Sequence, residues 1–258
     1  MNARVRSGVP LSLRFAGAAL ALLALVFTQV SGHAASTAAQ TVVDPLAYSK
    51  GYLVTGDYVV GGVDVASKDA VGGFVTGTIP MSGVPANADI LAAFLYWETI
   101  AADASQAGGV KFRGLPVQAV KASSMPLTGQ NAACWASGSN LTMTMFRADV
   151  LRLLPEQLDA GRLATAKRLV NDADLSAAGL GPNTVTLPQL NGNLVPESAG
   201  ASLVIVYRDP AQPLRKISLY DGIYIQPQGD SMLQHLRGFY KSAAGASARM
   251  TEIGRAHV

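Results

Sequence analysis

Short apolar runs follow one another from residue 52 onward, and glycine, proline, asparagine or aspartate separates each run from the next. Runs of this length between turn residues predict strands, because apolar, β-branched and aromatic side chains favour extended backbone. The runs that we interpret as strands cover residues 58–65, 73–79, 90–97, 110–113, 117–121, 141–145, 183–187, 202–207, 217–225, 231–240 and 248–251.

Two of these runs indicate how far their strands are buried. Residues 90–97 are apolar throughout, which is typical of a strand buried on both faces. Residues 141–145 alternate strictly between apolar and polar side chains, as a half-buried strand does. Helical patterns are short: residues 149–154 precede a proline, and residues 175–178 precede a glycine.

The regular spacing of the predicted strands favours an all-β fold, either an antiparallel β-sandwich or a jelly roll, with one or two short helices. No repeat of fixed period and no clear linker divides the series of strands. We therefore predict one domain over residues 51–252, with two domains divided near residue 160 as the alternative.

The beginning of the chain has the pattern of a secretory signal peptide, which we assign to residues 1–34. Basic residues come first, residues 15–27 are apolar, and small residues follow. The apolar run is shorter than the about 20 residues that span a bilayer, so we expect cleavage and export. Residues 35–50 are small and polar, which predicts a flexible linker. The expected location is secreted, either extracellular or at the cell surface.

The charge of the chain is balanced once the signal peptide is removed. The chain carries 20 Lys+Arg and 17 Asp+Glu, a formal net charge of +3, and Arg4, Arg6 and Arg14 lie in the signal peptide. A neutral mature chain lacks the positive field that nucleic-acid binding needs, and we expect no membrane span in it. The expected partner is a surface glycan or a protein ligand, and the oligomeric state stays open.

The end of the chain resembles an artefact. Residues 253–258 match the translation of a common sequencing adapter, whose next codon is a stop. We expect the natural protein to continue beyond residue 252 with further domains. Cys134 is the only cysteine, so no disulfide can form within the chain as given, although a partner cysteine could lie in the missing part.

Several short motifs, spread between residues 50 and 252, share one resemblance. They are Gly56-Asp57-Tyr58-Val59-Val60-Gly61-Gly62, Ala88-Asp89-Ile90, Tyr96-Trp97-Glu98, Cys134-Trp135, Gly200-Ala201-Ser202-Leu203-Val204 and Leu219-Tyr220-Asp221-Gly222. Together they resemble an uncharacterised β domain near the N-terminus of large bacterial secreted and surface proteins, which often continue into immunoglobulin-like repeats. The resemblance implies a β-sandwich with an adhesive or architectural role, and it brings no catalytic residues.

Residues suited to catalysis are scarce. His235 is the only histidine outside residues 1–34 and 253–258, and its apolar neighbours favour a packed or strand-surface histidine over a triad member. No base for a nucleophilic Cys134 can be recognised. We therefore expect a protein that is not an enzyme, with no catalytic residues and no cofactor.

Asp172 and Asp174 lie in an acidic stretch that resembles the beginning of a calcium loop. An EF-hand loop needs Gly at its sixth position and Glu at its twelfth, where this chain has Ala177 and Asn183. The two aspartates are therefore weak candidates for an irregular calcium site. The alternative is that one of them caps a short helix.

Trp97, Glu98, Tyr220 and Asp221 are weak candidates for ligand binding. Each pair joins an aromatic ring to a carboxylate, and a sugar site uses the ring for stacking and the carboxylate for hydroxyl groups. Aromatic residues inside strands are more often part of the core, and both interpretations stay open. A glycosidase would need two opposed carboxylates, which spacing along the chain does not identify.

The function that we expect first is an exported, non-enzymatic surface or adhesion-type structural module, the N-terminal part of a longer extracellular protein. A carbohydrate-binding module is the second hypothesis, and a secreted hydrolase with unrecognised catalytic residues is the third. An exposed set of aromatic rings beside polar groups would favour the second, and two carboxylates facing each other in a cleft would favour the third.

Overall fold

Strands make up most of the chain that the computed structural model describes, which is residues 41–66, 68–128, 140–158, 166–192, 194–226, 229–239 and 247–252. In chain order they are β1 (Thr41–Val43), β2 (Ala47–Asp64), β3 (Phe74–Thr78), β4 (Asp89–Ala101), β5 (Lys111–Phe112), β6 (Leu115–Pro116), β7 (Val120–Pro126), β8 (Thr142–Asp149), β9 (Glu156–Leu158), β10 (Ala166–Arg168), β11 (Thr184–Pro188), β12 (Glu197–Arg208), β13 (Leu214–Asp221) and β14 (Ser231–Leu233). The predicted signal peptide, Cys134 and residues 253–258 lie outside the described residues.

The helices within the described residues are short, as the sequence predicts. They are α1 (Asp172–Ala177) and the 3-10 helices Ala104–Ala107 and Leu151–Leu153. Helix α1 ends before Gly179, whose φ of 69° lies in the left-handed region that favours glycine. None of these helices has the length and apolar character that crossing a membrane requires.

A six-stranded antiparallel sheet, in the order β13-β2-β12-β4-β8-β7, forms the centre of the structure. Side chains of β4 are buried on both faces of this sheet, as the continuous apolar run 90–97 predicts. Side chains over residues 141–145 alternate between buried and half-buried, again as predicted. Strands from both sides of residue 160 are neighbours in this sheet, and all described residues fall within one compact unit.

The long strand β2 takes part in two different pairings. Residues 56–64 pair with β12, and residues 47–55 pair with β13. The change occurs at Gly56, where a Cβ atom would overlap the carbonyl oxygen of Tyr207. Because glycine has no side chain, β2 can pass close to β12 and continue into a two-stranded ribbon. We use the name ribbon for residues 47–55 together with β13.

A four-stranded antiparallel sheet, in the order β3-β11-β5-β6, covers one face of the central sheet. The core between the two sheets contains large buried side chains from both of them, among them Leu95, Trp97, Phe112, Leu187 and Leu203. Removing side chains of this size from water contributes about 1.5–3 kcal/mol each. The predicted all-β fold of antiparallel sheets, with two of them packed face to face, is therefore confirmed.

The ribbon is the edge of the same six-stranded sheet, and it folds over the opposite face of strands β4, β8 and β12. Val54 and Ile217 of the ribbon belong to a second buried cluster, together with Phe94, Met143 and Val204 of the central strands. The central sheet consequently has a layer on each face. This third layer adds to the two layers of the predicted sandwich.

The start of the domain differs from the expected linker over residues 35–50. Within it, β1 pairs in parallel with β14, and β2 already begins at Ala47. The small and polar side chains of this segment suit strands with a solvent-exposed face. Composition alone does not reveal the pairing, because the partner of Thr41 lies 190 positions later in the chain.

The end of the described chain contains less strand than the sequence predicts. Within the described residues 231–239 the only strand is β14, which ends at Leu233, and residues 248–251 form no strand. Directly after β14, the side-chain oxygen of Gln234 accepts a 3.1 Å hydrogen bond from the backbone of Leu46. At this point, hydrogen bonds between side chains and backbone take the place of the backbone hydrogen bonds that would continue the strand.

Candidate functional site

Polar side chains meet between the ribbon and the central sheet, and we call Ser49, Tyr96, Arg147 and Asp221 the Asp221 cluster. Tyr96 and Arg147 are paired neighbours on β4 and β8. Asp221 ends β13, and Ser49 is the extra residue where the register between β2 and β13 shifts. The cluster therefore joins two layers of the fold.

Asp221 accepts hydrogen bonds from two of its neighbours. The hydroxyl of Tyr96 donates to Oδ1 at 2.9 Å, and Nη1 of Arg147 donates to Oδ2 in an ion pair. The same Arg147 nitrogen also donates to the hydroxyl of Ser49. The Asp221 side chain is only 9% exposed and that of Arg147 only 18%, so water screens this ion pair weakly.

The surroundings of Tyr96 raise the pKa of its hydroxyl far above the usual value. Burial is the largest cause, and the negative charge of Asp221 and the hydrogen bond to it act in the same direction. Tyr96 therefore stays protonated and continues to donate its hydrogen bond at physiological pH. The cluster as a whole connects the ribbon to the central sheet, with its polar groups bonded to one another.

Trp97 and Glu98, two of the candidate ligand residues, lie on opposite faces of β4. The Trp97 side chain is 2% exposed and stacks on Phe146 with the ring centroids 5.4 Å apart. Glu98 is half-buried, and this burial raises the pKa of its carboxyl. The carboxyl of Glu98 makes no hydrogen bond or ion pair with the described residues. The structure therefore places Trp97 in the core and gives the Glu98 carboxyl no bonding partner among the described residues.

Tyr220 and Asp221, the other two candidates, also point to opposite faces. Asp221 faces the central sheet, as described above. Tyr220 lies on the outer face of the ribbon, where its ring meets that of Tyr48 edge to face, with the centroids 5.8 Å apart. Of the four candidates, Tyr220 thus lines an open surface beside a second aromatic residue.

The calcium candidates Asp172 and Asp174 lie in the first turn of α1. Oδ2 of Asp172 accepts a 3.2 Å hydrogen bond from the backbone of Met81, and Oδ2 of Asp174 accepts one of 2.9 Å from the side chain of Asn171. Asn171, rather than either aspartate, occupies the N-cap position. Across the described part of the chain, no group of three or more His, Cys, Asp and Glu side chains could hold a metal ion.

Other carboxylates connect strands in the same way as Asp221. Asp57 on β2 forms ion pairs with Arg215 on β13 at 3.2 Å and with Arg249 at 2.6 Å. Glu156 on β9 pairs with Arg168 on β10 at 2.6 Å. The Asp57 pairs join segments that are far apart in sequence, and the Glu156 pair joins two neighbouring strands.

An open pocket of about 460 Å³ lies on the outer face of the ribbon, and we call it the ribbon pocket. The ribbon supplies one wall, and the segment after β14 supplies the other. Its lining residues are Asp44, Leu46, Tyr48, Lys216, Tyr220, Gln234, His235, Arg237 and Gly238.

Asp44 and His235 lie within ion-pair distance of each other at one side of the ribbon pocket. Nδ1 of His235 lies 3.1 Å from both carboxylate oxygens of Asp44. The backbone N–H of His235 also donates to Asp44, and this bond is the largest cause that lowers the pKa of the Asp44 carboxyl. The described residues that line the pocket include no serine, threonine or cysteine.

The sequence did not identify most residues of the ribbon pocket. Tyr48 lies in the segment that composition assigned to a linker, and Arg237 lies in a run that was expected to continue as a strand. Tyr48 and Arg237 come together because the chain turns after β14. The one sequence signal that does point here is Tyr220 beside Asp221, in a motif of the resemblance described above.

The chain was compared with known proteins at three levels. No protein-family model, no curated protein and no solved structure matches it.

Proposed function

We propose that the chain is an exported, non-enzymatic structural module of a longer bacterial surface protein. The Asp221 cluster carries this proposal, since a carboxylate that resembled a ligand residue in the sequence instead connects two layers of the fold. Arg147 and Tyr96 occupy its two oxygens. Asp221 therefore contributes to the stability of the fold.

The distribution of charged groups supports the same proposal. Asp57 binds Arg215 on β13 and Arg249 near the end of the described chain, and Glu156 binds Arg168 on β10, much as Asp221 binds Arg147 on β8. These ion pairs contribute to the fold, and they engage carboxylate oxygens in contacts that stabilise it, which favours a structural role for these groups. A module of this kind would act through contacts at its surface and at its two ends, and it would catalyse no reaction.

Export belongs to the proposal through the pattern of residues 1–34. A basic start, a short apolar run and small residues are the features that signal peptidase substrates share. The motifs that resemble a β domain of bacterial surface proteins agree with an extracellular setting.

The test is to express the full chain in a bacterial host and to purify the processed protein from the extracellular fraction. We expect a mass that corresponds to cleavage near residue 34 and no turnover of ester, peptide or glycoside substrates. Turnover that an Asp221→Asn or Glu98→Gln variant abolishes without unfolding would overturn the non-enzymatic role. A full-length, unprocessed chain in the cytoplasm would overturn the export.

A further inference from the structure

We propose that the ribbon pocket binds an acidic sugar, which is a pyranose ring that carries a carboxylate. The exposed ring of Tyr48 would stack on the sugar, and Lys216 and Arg237 would bind the carboxylate. This inference goes beyond the structural role proposed above, and a failure to bind would leave that role in place.

The aromatic part of the pocket offers a free face for stacking. The Tyr48 side chain is 55% exposed, and the edge-to-face contact with Tyr220 fixes its orientation. Exposed aromatic rings that a second ring holds in place lose little conformational entropy when a ligand binds. The apolar face of a pyranose matches such a surface in size and chemistry.

The charged part of the pocket favours an anion. Lys216 and Arg237 form no ion pair with the described residues, whereas the single lining carboxylate, Asp44, already faces His235. Arg237 lies near enough to Asp44 to help lower the pKa of that carboxyl, so the pocket holds two cations against one carboxylate. This excess of one positive charge favours an anion. Charge-assisted hydrogen bonds from an ammonium and a guanidinium group are the strong contacts that a carboxylate can accept.

Gly51 brings the aromatic and the cationic parts together. A Cβ atom at Gly51 would lie 2.9 Å from Nζ of Lys216 and would overlap the hydroxyl of Tyr48. The ammonium group and the hydroxyl therefore lie side by side over the backbone of Gly51. A ring stacked on Tyr48 would carry its carboxylate within reach of Lys216.

The second wall of the pocket is held in position before any ligand binds. The backbone N–H of Arg237 donates a 3.0 Å hydrogen bond to the hydroxyl of Tyr220. Gln234 accepts one from Leu46 and donates to Asp44. A preformed wall of this kind reduces the cost of ordering that binding would otherwise incur.

The experiment is a calorimetric titration of the processed full chain with glucuronic acid, glucose and inorganic phosphate at low ionic strength. We expect binding of glucuronic acid, with glucose and phosphate each weaker by about 10-fold or more, because each lacks one of the two contacts. Salt should weaken the binding of glucuronic acid, since the carboxylate contact is electrostatic.

Three variants assign the binding to this pocket. Lys216→Gln and Tyr48→Ala should each weaken glucuronic acid binding by about 10-fold. Lys121→Gln, at an exposed position on β7, is the matched control and should leave binding unchanged. Thermal unfolding of each variant checks that the fold is retained, which is expected because Tyr48 and Lys216 are exposed.

Four results would overturn the proposal. Equal binding of glucose and glucuronic acid would exclude the charged contact, and binding of phosphate without glucuronic acid would indicate a simple anion site. Binding that Lys121→Gln weakens as much as Lys216→Gln would place the ligand elsewhere. Absence of binding for all three compounds would exclude a sugar site in this pocket.

Discussion

The hydroxyl of Tyr96 donates a hydrogen bond to the carboxylate of Asp221 across 125 positions of the chain. Tyr96 belongs to the central sheet, and Asp221 belongs to the ribbon that covers it. Arg147 completes the contact with an ion pair to the other oxygen. The stability of the ribbon layer therefore depends on a carboxylate at the very end of β13.

Replacing Asp221 with Asn should strongly destabilise the protein. The substitution leaves the guanidinium group of Arg147, which is only 18% exposed, without its anionic partner. Breaking a buried pair from one side costs about 3–5 kcal/mol. Chemical denaturation followed by circular dichroism would measure the change in the free energy of unfolding.

The matched control for that variant is Asp89→Asn. Asp89 also pairs with an arginine, Arg208, but the two side chains are 58% and 56% exposed. Surface pairs of this kind contribute about 0–1 kcal/mol. Equal destabilisation by the two substitutions would contradict the role that we assign to Asp221.

Replacing Glu98 with Gln should change how stability depends on pH. Burial raises the pKa of Glu98 above the ordinary value of 4.5. The contribution of this carboxyl is therefore fully present below its unfolded-state pKa and is lost as pH rises through its folded-state pKa. Glu98→Gln should be more stable than the wild type at about pH 7.5, and the difference should shrink at about pH 4.

The comparison between wild type and variant isolates Glu98 from the other carboxylates. Denaturation midpoints at several pH values would give the two stability curves. Parallel curves for wild type and Glu98→Gln would mean that the pKa of Glu98 does not change on folding.

Replacing Gly56 with Ala should disturb the point where β2 leaves the central sheet. The new methyl group would overlap the carbonyl oxygen of Tyr207 and lie 3.0 Å from Cα of Arg208. Both of these atoms belong to backbone that cannot move away cheaply. Overpacking of this kind costs about 1–3 kcal/mol, which a denaturation curve resolves.

Gly62→Ala serves as the comparison on the same strand. A Cβ atom there would lie 3.3 Å from Oγ of Ser202 and 3.6 Å from the carbonyl oxygen of Ala201. A small shift of the serine side chain accommodates it, so the expected cost is below about 1 kcal/mol. If Gly62→Ala proved the more damaging substitution, the close approach at Gly56 would not limit the fold.

If residues 1–34 act as the proposed signal peptide, placing a charge in their apolar run should prevent export. Leu23 lies within residues 15–27, and an arginine in an apolar segment carries a high cost of insertion. Leu23→Arg should therefore accumulate in the cytoplasm at its full, uncleaved mass. Immunoblotting of cell fractions would detect this, with Gln29→Ala, outside the run, as the control that is still exported.

Local pattern alone predicted the central strands. The apolar run 90–97 and the β-branched run 202–207 both lie in strands buried on two faces, and such positions leave a strong signal in the sequence. The ribbon was harder to predict. Ser49, Lys50 and Gly51 have low strand propensity, and their strand forms because β13 lies alongside them.

The candidate sites depended even more on contacts between distant segments. Trp97 beside Glu98 suits both a core and a sugar site, and only the three-dimensional burial of Trp97 distinguishes the two. The Asp221 cluster and the ribbon pocket each combine side chains from distant segments. The turns of the chain bring these segments together. No spacing along the sequence encodes such an approach.

The parallel pair of β1 and β14 has a mechanical consequence. β1 pairs with β14 from Thr41 to Val43, and the backbone N–H of Asp44 extends the contact with a 2.7 Å bond to the carbonyl oxygen of Leu233. A force that pulls the preceding and following parts of the chain apart would slide these two parallel strands past each other. Their hydrogen bonds would then be loaded together instead of one after another, so this strand pair would resist tension applied along the chain.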